Sequence, residues 1–128
     1  MIDIRSHRRL LLALYVVALL GVTLTPVPGS AYPPSGFDKL VHVILFAGLA
    51  FLISWNVGAQ RRAISALESL GLTVVAAVVI EAVQGVLPFR NADAGDFVAG
   101  AVGALLGILA AALLLRWERS QESSEGPE

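Results

Sequence analysis

Residues 67–96 read LESLGLTVVAAVVIEAVQGVLPFRNADAGD, and they decide the fold. Between Leu67 and Leu87 only Glu68 and Glu81 carry charge. A helix of that length rises about 31 Å at ~1.5 Å per residue, enough to cross a hydrocarbon core of ~30 Å. Proline at position 88 disfavours helical geometry at Leu87, so a spanning helix over about 67–87 ends there. After FRNADAG, Asp96 suits the cap of a further helix over about 96–115. Its side chain can accept free amides of the first turn, and its charge suits the positive helix end.

The same pattern extends towards the N-terminus. A helix over about 38–56 opens on Asp38 and Lys39, and His42 is its one ionisable residue beyond them. Trp55 and Asn56 mark its other interface, where an amphipathic indole sits well. Before it, residues 25–37 hold four prolines and two glycines and read as a loop. A first helix is expected over about 10–25, stopped by Pro26 and Pro28, which lack the amide donor. That helix is slightly short, and Arg8 and Arg9 can lengthen it by reaching back to the headgroups. It is read as a retained helix, although Ser30 and Ala31 would permit cleavage of a signal peptide. Residues 1–117 thus form one transmembrane domain, and the polar residues 118–128 are expected to be a disordered tail.

Composition agrees with this organisation. Of 128 residues, 56% are hydrophobic and 15% charged, more apolar than a soluble domain of this size. The expected fold is an all-α membrane protein, a compact four-helix transmembrane bundle. Cysteine is absent, which removes disulfides and thiolate metal sites. The net charge of −1 hides an uneven distribution of basic residues. Arg5, Arg8, Arg9, Arg61, Arg62, Arg116 and Arg119 fall on one side of the membrane, and only Lys39 and Arg90 on the other. The positive-inside rule then predicts a multi-pass protein of the plasma membrane with both termini cytoplasmic.

That orientation gathers the polar residues. Asp38 and His42 share a helix face at the outer end of the second helix, as do Glu81 and Gln84 on the third. Lys39, Arg90, Asp93 and Asp96 lie at the same level. Glu81 is the deepest, about 9 Å below Leu87. Ionisable groups inside a membrane usually face the bundle interior or a watered cavity and pair there. Asp38, Lys39, His42, Glu81, Gln84, Arg90 and Asp96 are therefore the candidate ligand-binding residues.

Each of them also has a plainer reading. Glu81 is a proton or cation site, or else the structural partner of Arg90. Gln84 is an interhelical hydrogen-bonding group or a ligand contact. His42 is a general base, a metal ligand or a pH-sensing group, or it is simply bonded to Asp38 one turn away. Arg90 carries a planar fork suited to phosphate or carboxylate, yet Asp93 and Asp96 are near enough to absorb it. Asp93 and Lys39 also read as solvated surface charges. One such histidine and scattered acids do not amount to a metal centre, so no metal and no cofactor are expected. Ala99, Gly103 and Gly107 form a small-residue face for helix packing, either within the bundle or in a homodimer. The basic pairs are too small for nucleic-acid binding.

The segments DKLVHVILFAGLAFL (residues 38–52), EAVQGVLPFR (81–90) and DFVAGAVGALLG (96–107) together resemble the VanZ-like family of small membrane proteins. The family pattern opens one helix with Asp-Lys-x-x-His and closes the next with Glu-x-x-Gln followed by Pro, Arg and Asp. One departure stands at Gly100, where the family often has Asn. The resemblance implies a shared polar site at the matched residues and an envelope role linked to tolerance of teicoplanin-type glycopeptides. The expected function is a non-enzymatic protein that binds a lipid headgroup or a glycopeptide-related, cell-wall ligand. Two alternatives stay open. One is a membrane-embedded enzyme on lipid-linked phosphates, in which Arg90 and Lys39 hold the phosphate while the catalytic candidates His42, Glu81 or Asp38 supply acid-base chemistry or bind a divalent metal. The other is a small proton-coupled transporter using Glu81.

Overall fold

The structure, a computed structural model, describes residues 4–26, 36–57, 62–88 and 94–124. These form four helices and, among the described residues, no strand: α1 (Ile4–Leu24), α2 (Phe37–Val57), α3 (Arg62–Val86) and α4 (Ala94–Ser124). Each is long and apolar enough to cross a membrane. Their outer faces expose large apolar side chains such as Leu14, Val17, Ile44, Val75 and Leu109. Lipid tails solvate such a surface, and a helix satisfies its own backbone polar groups there. The expected all-α, multi-pass architecture is present.

Contacts between the helices fix the topology. At one end Arg8 of α1 meets Trp55 of α2 and Glu118 of α4. At the other end Gln84 of α3 reaches Thr23 of α1, and Lys39 of α2 reaches Asp96 of α4. So α1 runs antiparallel to α2 and α4 and parallel to α3, an up-down-up-down bundle. The start of α1 and the end of α4 consequently share one end.

The closest pair is α2 with α4. Phe46, Leu49 and Ile53 of α2 form a buried cluster with Leu19 of α1 and with Ala77 and Ile80 of α3. Tyr15 brings a phenol into this apolar setting and donates to the Leu45 carbonyl, 2.9 Å away. Gly48 makes room for that ring, since a side chain there would run into it. The turn into α2 is made by Gly36 at a φ of 93°, a left-handed conformation that costs glycine little. Its carbonyl accepts the amide of Leu40 and so starts the helix.

Three boundaries differ from the sequence expectation by more than two residues. Helix α1 begins at Ile4 instead of near residue 10, and α3 at Arg62 instead of 67. Helix α4 passes residue 115 and continues to Ser124, so the tail expected to be disordered from 118 is helical that far. Residues 125–128 lie outside the described residues. The physical reason is local. Arg, Glu and Gln are good helix formers, Glu118 lies 3.7 Å from Arg8, and Ser123 donates back to the Arg119 carbonyl. The Arg8 guanidinium folds over the Trp55 ring, 4.3 Å from the centroid.

Candidate functional site

The first turns of α2 set the site. His42 is only 4% exposed. Its Nδ1 lies 2.9 Å from the backbone carbonyl of Asp38. A carbonyl oxygen can only accept, so this contact places a proton on Nδ1 and leaves Nε2 for other partners. That Nε2 is buried and has no hydrogen-bond partner among the described residues. The ring stacks on Phe46 at a centroid distance of 6.1 Å. Asp38 therefore orients His42 through its backbone, while its own side chain is exposed.

Two further helices bring carboxylates to the same place. Glu81 of α3 and Asp96 of α4 each offer an oxygen, and His42 a ring nitrogen, all within 4.8 Å of one another. Asp96 is 6% exposed, and its Oδ1 lies 3.4 Å from Lys39 Nζ. The expectation that Asp96 caps α4 is corrected here. The helix starts two residues earlier, at Ala94, and Asp96 stands inside its first turn with the carboxylate turned inward. The partial positive charge of that helix end still favours an anion at this place.

Gln84 is buried at 2% exposure, and its Nε2 donates to the Thr23 carbonyl at 2.8 Å. It ties α3 to the last turn of α1, where carbonyls have no intrahelical partner. Arg90, Asn91 and Asp93 lie outside the described residues, so the pairing considered between Glu81 and Arg90 does too. Ala99 is buried, and Gly103 and Gly107 lie against the Val43 and Ala47 carbonyls of α2. The small-residue face considered for a homodimer is thus taken up inside the bundle. At Gly100, a Cβ would stand 3.1 Å from the Phe46 ring, the ring that supports His42.

Of the residues named from sequence, the structure brings His42, Glu81, Asp96 and Lys39 together and places Gln84 against α1. Sequence reasoning missed Thr23 as the acceptor of Gln84 and Arg8 as a tie between three helices. Thr23 carried no signal, because its backbone carbonyl and not its side chain is used. The trio places an imidazole beside two carboxylates, with an ammonium next to Asp96. Such a group can bind a cation, exchange a proton, or pair with a ligand that carries both charges. No family model, no curated protein and no solved structure matches this chain. The likeness to VanZ-like proteins stands on the motifs quoted above.

Proposed function

We propose that this is a plasma-membrane protein with both termini cytoplasmic, whose polar end faces outward and binds a phosphate-bearing lipid headgroup or cell-wall ligand. One observation carries the reading. In a bundle whose remaining interior is mostly apolar, three helices deliver His42, Glu81 and Asp96 to one place, with Lys39 beside them. Burying such groups is unfavourable unless they pair or serve a ligand. The bias of arginines towards the opposite end supports the outward orientation. Lys39 supplies a cationic group for a phosphate. Membership of the VanZ-like family, and with it a link to glycopeptide tolerance, is part of the same proposal.

The absence of cysteine makes orientation directly testable. Asn91→Cys should react with a membrane-impermeant maleimide in intact cells, and Ser120→Cys only after permeabilisation. The reverse pattern would refute the orientation. For the ligand, protein taken from mixed-lipid nanodiscs into native mass spectrometry should retain anionic phospholipid over phosphatidylcholine. Lys39→Ala should lower that retention, and equal retention of both lipids by the unaltered protein would remove the headgroup reading. A second reading, an enzyme acting on lipid-linked phosphates, is favoured by the buried His42 Nε2, without a hydrogen-bond partner among the described residues, on a ring close to two carboxylates. Product formed from a lipid-linked phosphate and lost in Glu81→Gln would decide for it.

A further inference from the structure

His42, Glu81 and Asp96 come from α2, α3 and α4 and present one ligand atom each within 4.8 Å of the others. Clustering alone does not make a site, since acids gather near helix ends for several reasons. The state of His42 adds an independent reason. Its ring is 96% buried by the complement of its 4% exposure, and its Nε2 has no hydrogen-bond partner among the described residues. Nδ1 is committed to the Asp38 carbonyl at 2.9 Å. A carbonyl behind an imidazole orients the ring, which is how metal-binding histidines are commonly supported.

Charge points the same way. The layer holds two carboxylates, Glu81 and Asp96, and the Lys39 ammonium sits 3.4 Å from Asp96. One imidazole with two carboxylates suits a divalent transition ion, whereas calcium and magnesium prefer oxygen ligands alone. Bonds of ~2.1 Å in a tetrahedral zinc site put ligand atoms roughly 3.4 Å apart, so a trio spaced within 4.8 Å closes by at most roughly 1.4 Å on binding.

We propose that His42, Glu81 and Asp96 bind one divalent transition-metal ion of the zinc class at the polar end of the bundle. Three protein ligands leave at least one coordination position open to water or to an oxygen of the bound ligand. Lys39 is then a competitor for Asp96, holding the carboxylate when the ion is absent. The inference rests on reading this layer as a binding site, but metal loading is measured without the headgroup ligand. Loss of metal binding with lipid retention intact would sink the inference alone, and the converse would sink only the headgroup reading.

The test uses the full chain in detergent, with a histidine-free tag, stripped by chelator and titrated with Zn²⁺ in a calorimeter. One equivalent should bind. Replacing a ligand, as in His42→Asn or Glu81→Gln, should weaken binding roughly tenfold or more. Lys39→Met, which removes the competing ammonium, should tighten it. Absence of binding, or a His42→Asn variant that binds as the unaltered chain does, would overturn the proposal. A second measurement does not depend on ligand variants folding. In a His7→Gln background His42 is the sole histidine, and pulsed electron paramagnetic resonance of the Cu²⁺-loaded protein should find one imidazole nitrogen on the metal. A metal surrounded by oxygen alone would also overturn it.

Discussion

The Cα of Gly103 lies against the backbone carbonyl of Val43, with no room for a methyl group between α4 and α2. Gly107 repeats the relationship one turn further along, against Ala47. Four-residue steps on both helices keep the two in register as a parallel pair. In lipid, close approach of this kind replaces the aqueous drive that packs soluble helices. The polar site depends on it, because His42 precedes Val43 and Asp96 stands two turns before Gly103.

Adding that methyl group should therefore loosen the bundle. Gly103→Ala and Gly107→Ala would each push a Cβ into the backbone of α2, which cannot swing aside as a side chain can. Overpacking of this type costs about 1–3 kcal/mol, read as a lower thermal midpoint in detergent. Gly21→Ala and Gly71→Ala are the controls, since nothing lies within 4 Å of their added Cβ. Those two should be neutral or gain up to about 1 kcal/mol of helix propensity. A uniform loss at all four positions would contradict the packing argument.

Gly100 should behave differently, because its neighbour is a side chain. An added Cβ meets Phe46 Cδ2 at 3.1 Å. Gly100→Asn, the residue frequent at this place in VanZ-like proteins, should destabilise by about 1 kcal/mol or more through overpacking. Shrinking the ring with Phe46→Leu in the same chain should restore part of the loss. The two changes measured singly and together give the coupling, and strict additivity would show that the ring is not the obstacle.

These particulars show what a sequence can and cannot carry. Four apolar runs and the prolines that bound them made the four-helix membrane class legible, because hydrophobic length is a local property. The level of the polar residues was legible for the same reason. Convergence of His42, Glu81 and Asp96 was not, since they sit on three helices whose relative rotation depends on contacts such as Gly103 with Val43. The helical extension of α4 to Ser124 was hidden likewise: Glu118 finds Arg8 across the bundle, 110 positions away in sequence. Asp96 was misread as a cap because the start of α4 could not be located to within two residues.

Gln84 offers a test of a tie that leaves the trio alone. Its amide is the donor to the Thr23 carbonyl, one of the orphan carbonyls at the end of α1. Gln84→Met keeps the length of the side chain and removes the donor. Interhelical hydrogen bonds in membranes average about 0.6 kcal/mol and reach ~1.7, and a buried carbonyl left unpaired belongs at the upper end. The midpoint of unfolding should fall accordingly, with faster amide exchange in the last turn of α1. Unchanged exchange there would show that Gln84 does not hold that turn.

At the opposite end Arg8 joins three helices with one side chain. Its guanidinium stacks over Trp55, NH1 donates to the Trp55 carbonyl at 3.3 Å, and NH2 lies 3.7 Å from Glu118. The side chain is 17% exposed, so solvent screens the stacking only in part. The cation–π contribution is expected between about 0.5 and 2 kcal/mol. Glu118 is the more exposed partner and should add between nothing and ~1 kcal/mol. A double-mutant cycle on Arg8→Ala and Trp55→Leu isolates the first term, with unfolding in detergent as the readout. Arg8→Lys should recover little of the loss, because an ammonium keeps the charge but has neither the stacking plane nor the fork that serves Trp55 and Glu118 together. Since α1 packs less extensively than α2 and α4 do, exchange protection should drop first along α1. A lysine variant as stable as the unaltered chain would mean that charge alone, without stacking, anchors α1 to the bundle.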